Sequence, residues 1–538
     1  MQIEIGGRAF SPFPDGGAAV IRRRDFIQKA VGTAATLGSV GLRPALADVP
    51  AHRWDGYDFG SRPSVPDRLN QGPFGIDQGG GDTTIEYTTF SDQPVRNYGL
   101  GLVGYTWEEN GPSLAARAGK ETLEQHVEKL ASLPFVDLLY IRCDWRDVQK
   151  SAGRLELHPV WKLTFDAARE HNLRVGFRIQ LSSPNIQPRN ISLPDFLKEK
   201  VPLVKLGALP KRSNYSRYEG IEFIEPQYHH PEFQRAFREL NELLAAEFDG
   251  NPLLEFMDLM MYGFWGEGHT LALPRPFPDY LTAERTFIDM TRFQLETWKR
   301  TPLAVNTQPD QNQVGNHEVQ DMAVRSGCWL RSDSIIGDEP IQIEQLSNRP
   351  PWLPVIMEDG RNRHHVIDED AVRQARVDVK YREKAALHTL DLGANYWALW
   401  TEADNLRRYY EQYPRAFDVL RRRMGYRIRP SWIWQRSRYD TIEVIVALAN
   451  DGVAGVPGVL RVYVETPDGN TRIGGGLDAG HPYGGRLRQA SFILPKGMDG
   501  QKLILRAELE SKAGVRRPVR WACAEPVNPD GSFTFQLR

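Results

Sequence analysis

Two glutamates sit where a strand could hold them for chemistry. The stretch Leu254 to Thr270, LEFMDLMMYGFWGEGHT, starts as a dense apolar run and then breaks into Gly263, Phe264, Trp265, Gly266, Glu267, Gly268 and His269. The run reads as a strand covered on both faces. Glycines on either side of Glu267 let the backbone turn sharply and hold the carboxyl at the strand's mouth. Trp265 sets a flat apolar face beside that acid. Such a pair suits cleavage of a sugar bond, where the ring stacks and the carboxyl moves the proton. The same Gly-Glu-Gly would also serve as a plain surface turn. A second stretch of similar build, Trp352 to Gly360, WLPVIMEDG, ends an apolar run in Glu358 and Asp359. Successive strand residues point opposite ways, so only one of these two acids can face the site.

Two carboxylates about 5 Å apart repel by about 3 kcal/mol at an effective dielectric of about 20. That equals about two pKa units, enough to keep one carboxyl protonated near neutral pH. The protonated carboxyl can then be the acid and the ionised one the nucleophile of a retaining, double-displacement cleavage.

Elements that could position the pair follow from the apolar runs. Strands are predicted at Tyr98–Tyr105, Asp137–Trp145, Arg174–Leu181, Leu254–Tyr262, Pro302–Thr307, Cys328–Ser334, Leu353–Glu358 and Ala394–Trp400, with helical periodicity between most of them. Strand and helix alternating in this way predict an α/β fold, a (β/α)8 barrel, whose chemistry lies at the C-terminal strand ends. Glu267 then follows the fourth strand and Glu358 ends the seventh. The longest insertion, Ser182 to His230, follows the third strand and hangs over the mouth. An open doubly wound sheet is the alternative, but its GxGxxG fingerprint is missing. Beyond residue 430 short alternating strands take over, separated by turns such as Asn450-Asp451-Gly452, and predict a C-terminal β-sandwich. The organisation expected is residues 1–47 as a targeting segment, 48–95 as a loop or linker, 96–430 as the barrel and 431–538 as the sandwich.

With the strands placed, the chain resembles the retaining (β/α)8 glycoside hydrolases of clan A, in which the acid/base follows the fourth strand and the nucleophile the seventh. The comparison with the β-galactosidase-like branch rests on a barrel followed by a β-sandwich. Arg142 in Ile141-Arg142-Cys143-Asp144-Trp145 stands in the place of a clan arginine that supports the nucleophile, and Asn395 to Trp400, NYWALW, looks like the clan's floor-tryptophan strand. The resemblance implies stacking faces at Trp265 and Trp400 and an oligosaccharide or polysaccharide substrate. It departs at Gly266, where many clan members carry an Asn that holds the sugar 2-hydroxyl. Asn306 or His269 takes over that work, or the family is a distant one. Trp107, after the first strand, is a further candidate for the pocket wall. Arg178 on the third strand either touches substrate or makes a buried ion pair. Asp258 reads as a hydrogen-bonded core acid, and Asp359 is the alternative nucleophile. His229-His230 and His364-His365 diverge as neighbours and make poor metal clamps, so no metal or cofactor is expected. The rival readings are a non-catalytic carbohydrate-binding barrel and a metal-dependent barrel hydrolase.

The 538 residues are enough for two or three domains, and a net charge of -2 gives no footprint for nucleic acid. Cys143, Cys328 and Cys523 are too few and too far apart for a disulfide framework. Near the start, Arg22-Arg23-Arg24-Asp25-Phe26-Ile27 resembles the twin-arginine export motif. It is followed by a weakly apolar stretch to Leu42 and by Ala45-Leu46-Ala47, an A-x-A cleavage site. This order implies the twin-arginine export machinery as a partner and a periplasmic or secreted product. Replacing Arg23 and Arg24 by Lys should abolish export, and N-terminal sequencing of the exported wild type should begin at Asp48. An exported chain that still begins at Met1 would contradict the cleavage site.

Overall fold

The computed structural model describes residues 82–108, 111–183, 192–209, 221–270, 273–307, 316–332, 340–359, 381–437, 439–511 and 514–538. The expected targeting segment and His364-His365 lie outside the described residues.

Eight parallel strands close into a barrel. They are β1 (Gly101–Trp107), β2 (Leu138–Asp144), β3 (Arg174–Gln180), β4 (Leu254–Asp258), β5 (Leu303–Asn306), β6 (Trp329–Ser332), β7 (Val355–Glu358) and β8 (Tyr396–Leu399). The ring closes with β8 paired to β1 and β6 to β7. Helices follow each strand, and their starts are written locally. Thr122 and Gln125 form a capping box ahead of Leu123–Ala131. Pro159 and Pro231 each open a helix behind a histidine cap.

Strand alternation sorts the side chains. Leu102, Ile141, Phe177 and Met357 are fully buried on the helix side. Tyr105, Tyr140, Phe256, Trp329, Ile356 and Tyr396 share the core that fills the barrel interior. Gly176 on β3 makes room for that floor, because a Cβ there would lie 3.1 Å from both Phe256 Cζ and Tyr140 Cδ2. Two residues further along several strands the interior turns charged, as described below.

β4 ends earlier than the apolar run suggests. Leu259 still bonds to Ala304, but Gln294, on the helix Tyr280–Thr297, takes over at Met260. Its Oε1 accepts from Met260 N at 2.8 Å and its Nε2 donates to Met260 O at 3.1 Å. The chain leaves the sheet there while staying buried.

The C-terminal strands form two antiparallel sheets, with a core that includes Val444, Val446, Leu460, Val462, Phe492, Leu503 and Leu505. Two expectations are corrected. The segment 48–95 is not all linker, since Asp82–Tyr87 is a strand paired antiparallel to Ile428–Ser437. The sheet also begins at Ile428, before residue 431. Arg516–Val519 forms a short strand, and Cys523 makes an isolated bridge to Phe90. Arg427 fixes the junction by donating to the carbonyls of Gln93 at 2.6 Å and Ser91 at 3.1 Å. Cys143, Cys328 and Cys523 are buried, and none of them is joined in a disulfide. Among the described residues no helix is long and apolar enough to cross a membrane.

Candidate active site

At the C-terminal end of the barrel, β2, β3 and β6 each carry an arginine pointing inward, Arg142, Arg178 and Arg331. Facing them are Asp258 at the end of β4, Glu267 on the loop beyond it and Glu358 at the end of β7. All six are almost fully buried. Arg142 Nη1 donates to Glu358 Oε1 at 2.9 Å, and its Nη2 donates to Glu267 Oε1. Arg178 Nη1 donates to Glu267 Oε1 at 2.9 Å. Arg331 holds Asp258 in a two-point grip of 2.6 and 2.8 Å and reaches Glu358 Oε2 at 3.2 Å. Tyr140 donates its hydroxyl to Asp258. Three cations thus meet three anions, so the layer carries no formal net charge. An isolated buried ion would be prohibitively costly, and removing one member of such a set typically costs about 3–5 kcal/mol.

The loop that carries Glu267 is folded by its own short bonds. Phe264 N bonds His269 O at 2.8 Å, Gly268 N bonds Tyr262 O at 3.0 Å, and Trp265 N reaches across to Ser182 O at 3.0 Å. Gly263 is required there, because a Cβ would fall 2.1 Å from His269 O. Trp265 sits at φ 56°, a left-handed conformation that costs an L-residue roughly 1–2 kcal/mol. Its burial among Leu206, Leu209, Phe223, Phe264 and Leu273 offsets that strain. The hairpin Leu203–Ala208 with Glu222–Pro226, inside the insertion after β3, supplies part of this packing.

The candidates read from sequence divide into two sets. Glu267, Glu358, Arg142, Arg178 and His269 meet directly, with His269 Nε2 at 3.2 Å from Glu267 Oε2. Asn306 joins them by donating to the Glu267 carbonyl at 3.2 Å. The Trp265 ring lies 5.7 Å from the His269 ring. Arg178 makes a buried ion pair within the cluster. Glu358 meets the arginines, whereas Asp359 closes the ladder through its N–H to Ala398 O at 3.0 Å. Trp107 packs edge-on against His158 at 4.6 Å, and half-buried Trp400 packs on the barrel core. Neither ring hydrogen-bonds to the cluster among the described residues. Arg331 and Tyr140 were missed, although an arginine inside the apolar run Cys328–Ser334 signalled a buried acid partner.

One electrostatic expectation is overturned. Mutual repulsion was to keep Glu267 protonated. Burial does push its carboxyl up, but Arg142, His269 and Arg178 outweigh burial and hold it down to about 2. Nor does Arg142 serve Glu358 alone, since it spans both acids. Asp258 is likewise pushed up by burial and drawn below the usual carboxylate range by Arg331 and Arg178. Among the described residues no group of three or more His, Cys, Asp or Glu side chains is arranged to hold a metal ion.

No family model matches this chain, and no curated protein does so. Among solved structures, endo-glycoceramidase II from a Rhodococcus species is 12% identical, with 77% of this chain and 100% of that chain covered at a TM-score of 0.34. The catalytic domain of a β-amylase from Paenibacillus polymyxa is 11% identical, covering 57% of this chain and 93% of that one at 0.35. A xylanase from Paenibacillus barcinonensis is 10% identical, covering 56% and 84% at 0.32. The barrel assignment stands on this chain's own strand pairing.

A further acid lies beneath the loop. Glu225 is fully buried and accepts hydrogen bonds from the hydroxyls of Ser182 and Tyr228, the latter at 2.5 Å. Tyr228 in turn accepts from Gly263 N at 2.9 Å. Burial pushes the Glu225 carboxyl up to about 8 despite those donors. The folded chain therefore binds this proton more tightly than the unfolded chain. Its stabilisation is whole below the ordinary glutamate pKa of about 4.3 and is lost as pH rises through about 8. The wild-type melting temperature should fall from pH 7 to pH 9 more steeply than that of Glu225→Gln. Equal slopes for the two proteins would contradict this.

Proposed function

We propose that this chain is a retaining glycoside hydrolase, with Glu358 as nucleophile and Glu267 as acid/base. The observation that carries the reading is the single Arg142 guanidinium donating to both carboxylates. A pair held on one guanidinium suits the close spacing of retaining enzymes, about 5–5.5 Å, rather than the about 6.5–9.5 Å that leaves room for an inverting water. The placement after the fourth strand and at the end of the seventh supports the same roles.

Glu358 attacks the anomeric carbon while the bond to the leaving oxygen breaks, and that oxygen takes a proton from Glu267. Water then gives its proton back to Glu267 as its oxygen displaces Glu358 from the sugar. At rest Glu267 is ionised, so its proton must be supplied when substrate enters. His269, at 3.2 Å, is within reach to supply it. Arg142 can swing its charge wholly to Glu358 as that acid becomes the nucleophile. The substrate proposed is an oligosaccharide or polysaccharide. β-Galactoside-like specificity rests on the domain order alone, and export is part of the proposal. The depressed proton affinity of Glu267 favours a second reading, a barrel that binds carbohydrate without cleaving it.

Glu358→Asp keeps the charge balance of the cluster but draws the carboxylate back by one methylene. It should lose at least about 10²-fold in kcat with the fold intact by circular dichroism. Glu267→Gln should lose about 10²–10⁴-fold on poor leaving groups and far less on 4-nitrophenyl glycosides, which depart without protonation. Azide should partly restore Glu267→Ala. Full activity in Glu358→Asp would overturn the nucleophile. Sugar binding by a wild type that turns over no glycoside would establish the second reading.

A further inference from the structure

Two inward-facing polar groups of the barrel, one on β3 and one on β1, have nothing to bond. Gln180 closes β3, two residues past Arg178 and so on the same face of the strand. It is fully buried, and neither its Oε1 nor its Nε2 has a hydrogen-bond partner. Tyr105, on β1, is 2% exposed, and its hydroxyl is likewise unpartnered. Its ring is fixed against Tyr140 at a centroid distance of 4.9 Å. Among charged groups, Glu358 acts most strongly on that hydroxyl and, together with burial, keeps it protonated. The phenol is therefore a donor held close to the proposed nucleophile.

Other buried atoms also lack partners, Trp161 Nε1 and Trp397 Nε1 among them, but Gln180 has both ends of its carboxamide unpaired, whereas the acids and the tyrosine of the charge layer are bonded. Tyr140 Oη, both Asp258 oxygens, both Glu358 oxygens and both Glu267 oxygens are bonded. A buried amide or hydroxyl without a partner costs free energy that leucine or phenylalanine in the same space would not. The chain recovers that cost only through a partner from outside it. A carboxamide presents one donor and one acceptor side by side in a plane. Two neighbouring hydroxyls of a sugar ring match it, since each hydroxyl both donates and accepts.

We infer that Gln180 and Tyr105 form the hydroxyl-reading part of a saccharide subsite, with the Gln180 carboxamide taking a vicinal diol and the Tyr105 hydroxyl donating to a ring substituent next to Glu358. This rests on the proposed carbohydrate substrate of the same barrel mouth and adds which groups choose among sugars. The two residues stand on strands separated only by β2 and both face the barrel interior. Selection falls to them because the six charged groups are committed to one another.

Wild type, Gln180→Leu, Gln180→Glu and Tyr105→Phe would be titrated with the methyl glycosides of glucose, galactose, mannose and xylose, read by tryptophan fluorescence. Hydrolysis of the matching 4-nitrophenyl glycosides and melting temperature would be measured alongside. Gln180→Leu should bind the preferred glycoside at least about tenfold more weakly and bring the affinities for the sugars closer together. It should melt no lower than wild type, because an orphan is removed. Gln180→Glu keeps acceptors but no amide donor and should also lose the preference. Tyr105→Phe should weaken binding without lowering the melting temperature. A purely structural role predicts the reverse, a lower melting temperature with affinity unchanged, and would overturn the inference. So would a wild type that binds none of the four glycosides. Binding that depends on Gln180 without any hydrolysis sustains this inference while overturning the proposed reaction. Hydrolysis and sugar preference unchanged in all three variants would do the opposite.

Discussion

Arg142 is the interaction on which the barrel mouth depends. One guanidinium, almost fully out of water, holds carboxylates that arrive from opposite parts of the chain, Glu267 beyond β4 and Glu358 on β7. Neither acid could be buried so deeply without it. Arg178 and Arg331 extend the same logic, and Asp258 ties them together, with Arg331 on both its oxygens and Arg178 Nη2 3.6 Å away. The result is a preorganised set of charges in which each side chain is oriented by at least one of opposite sign. Such a set can stabilise developing charge without reorganising, which is where much catalytic power resides. It also sets the resting protonation of Glu267, so the acid catalysis proposed for this group is coupled to substrate entry.

The opposite end of the barrel solves a similar problem with one acid. Glu255 is fully buried, faces Arg174 and accepts from Tyr396 Oη and from Gly99 N at 2.7 Å. Between the two polar ends lies the aromatic floor, where Trp329 stacks on Tyr396 at 5.5 Å and Phe256 packs on both. The floor keeps the ends apart and presses Tyr140 up beneath Asp258. Stability and site geometry therefore share the same rings, which explains why the charged layer can be held so rigidly by such short strands.

Much of this was legible in the residues. Strands covered on both faces announce themselves as apolar runs, and the acids that end two of them stood out against that background. Ile428–Ser437 and Asp82–Tyr87 were harder to read. The first is rich in Trp, Arg and Pro, and the second is a short polar strand whose partner lies far along the chain. Its strand character comes from that pairing rather than from local pattern. Arg331 was hidden for a different reason. A single arginine in an apolar run shows that a partner exists without saying which, and only the closed ring brings β6 beside β7. The proton affinity of Glu267 was misjudged because repulsion between two acids can be reckoned from their roles alone. The two arginines and the histidine placed around one of them cannot. Gln180 and Tyr105 carry no signal at all in the sequence, since an orphaned hydrogen-bonding group is defined only by its neighbours.

The central claim is that Glu267 and Glu358 act as a close pair in a double displacement. The most direct measurement is the configuration of the sugar first released, followed by proton NMR of the anomeric signal before mutarotation, with whichever glycoside the protein cleaves. This account predicts that the product first appears with the same anomeric configuration as the substrate. Release of the opposite anomer would mean that water attacks directly, that the two carboxyls work at the wider spacing, and that Glu358 is not a nucleophile.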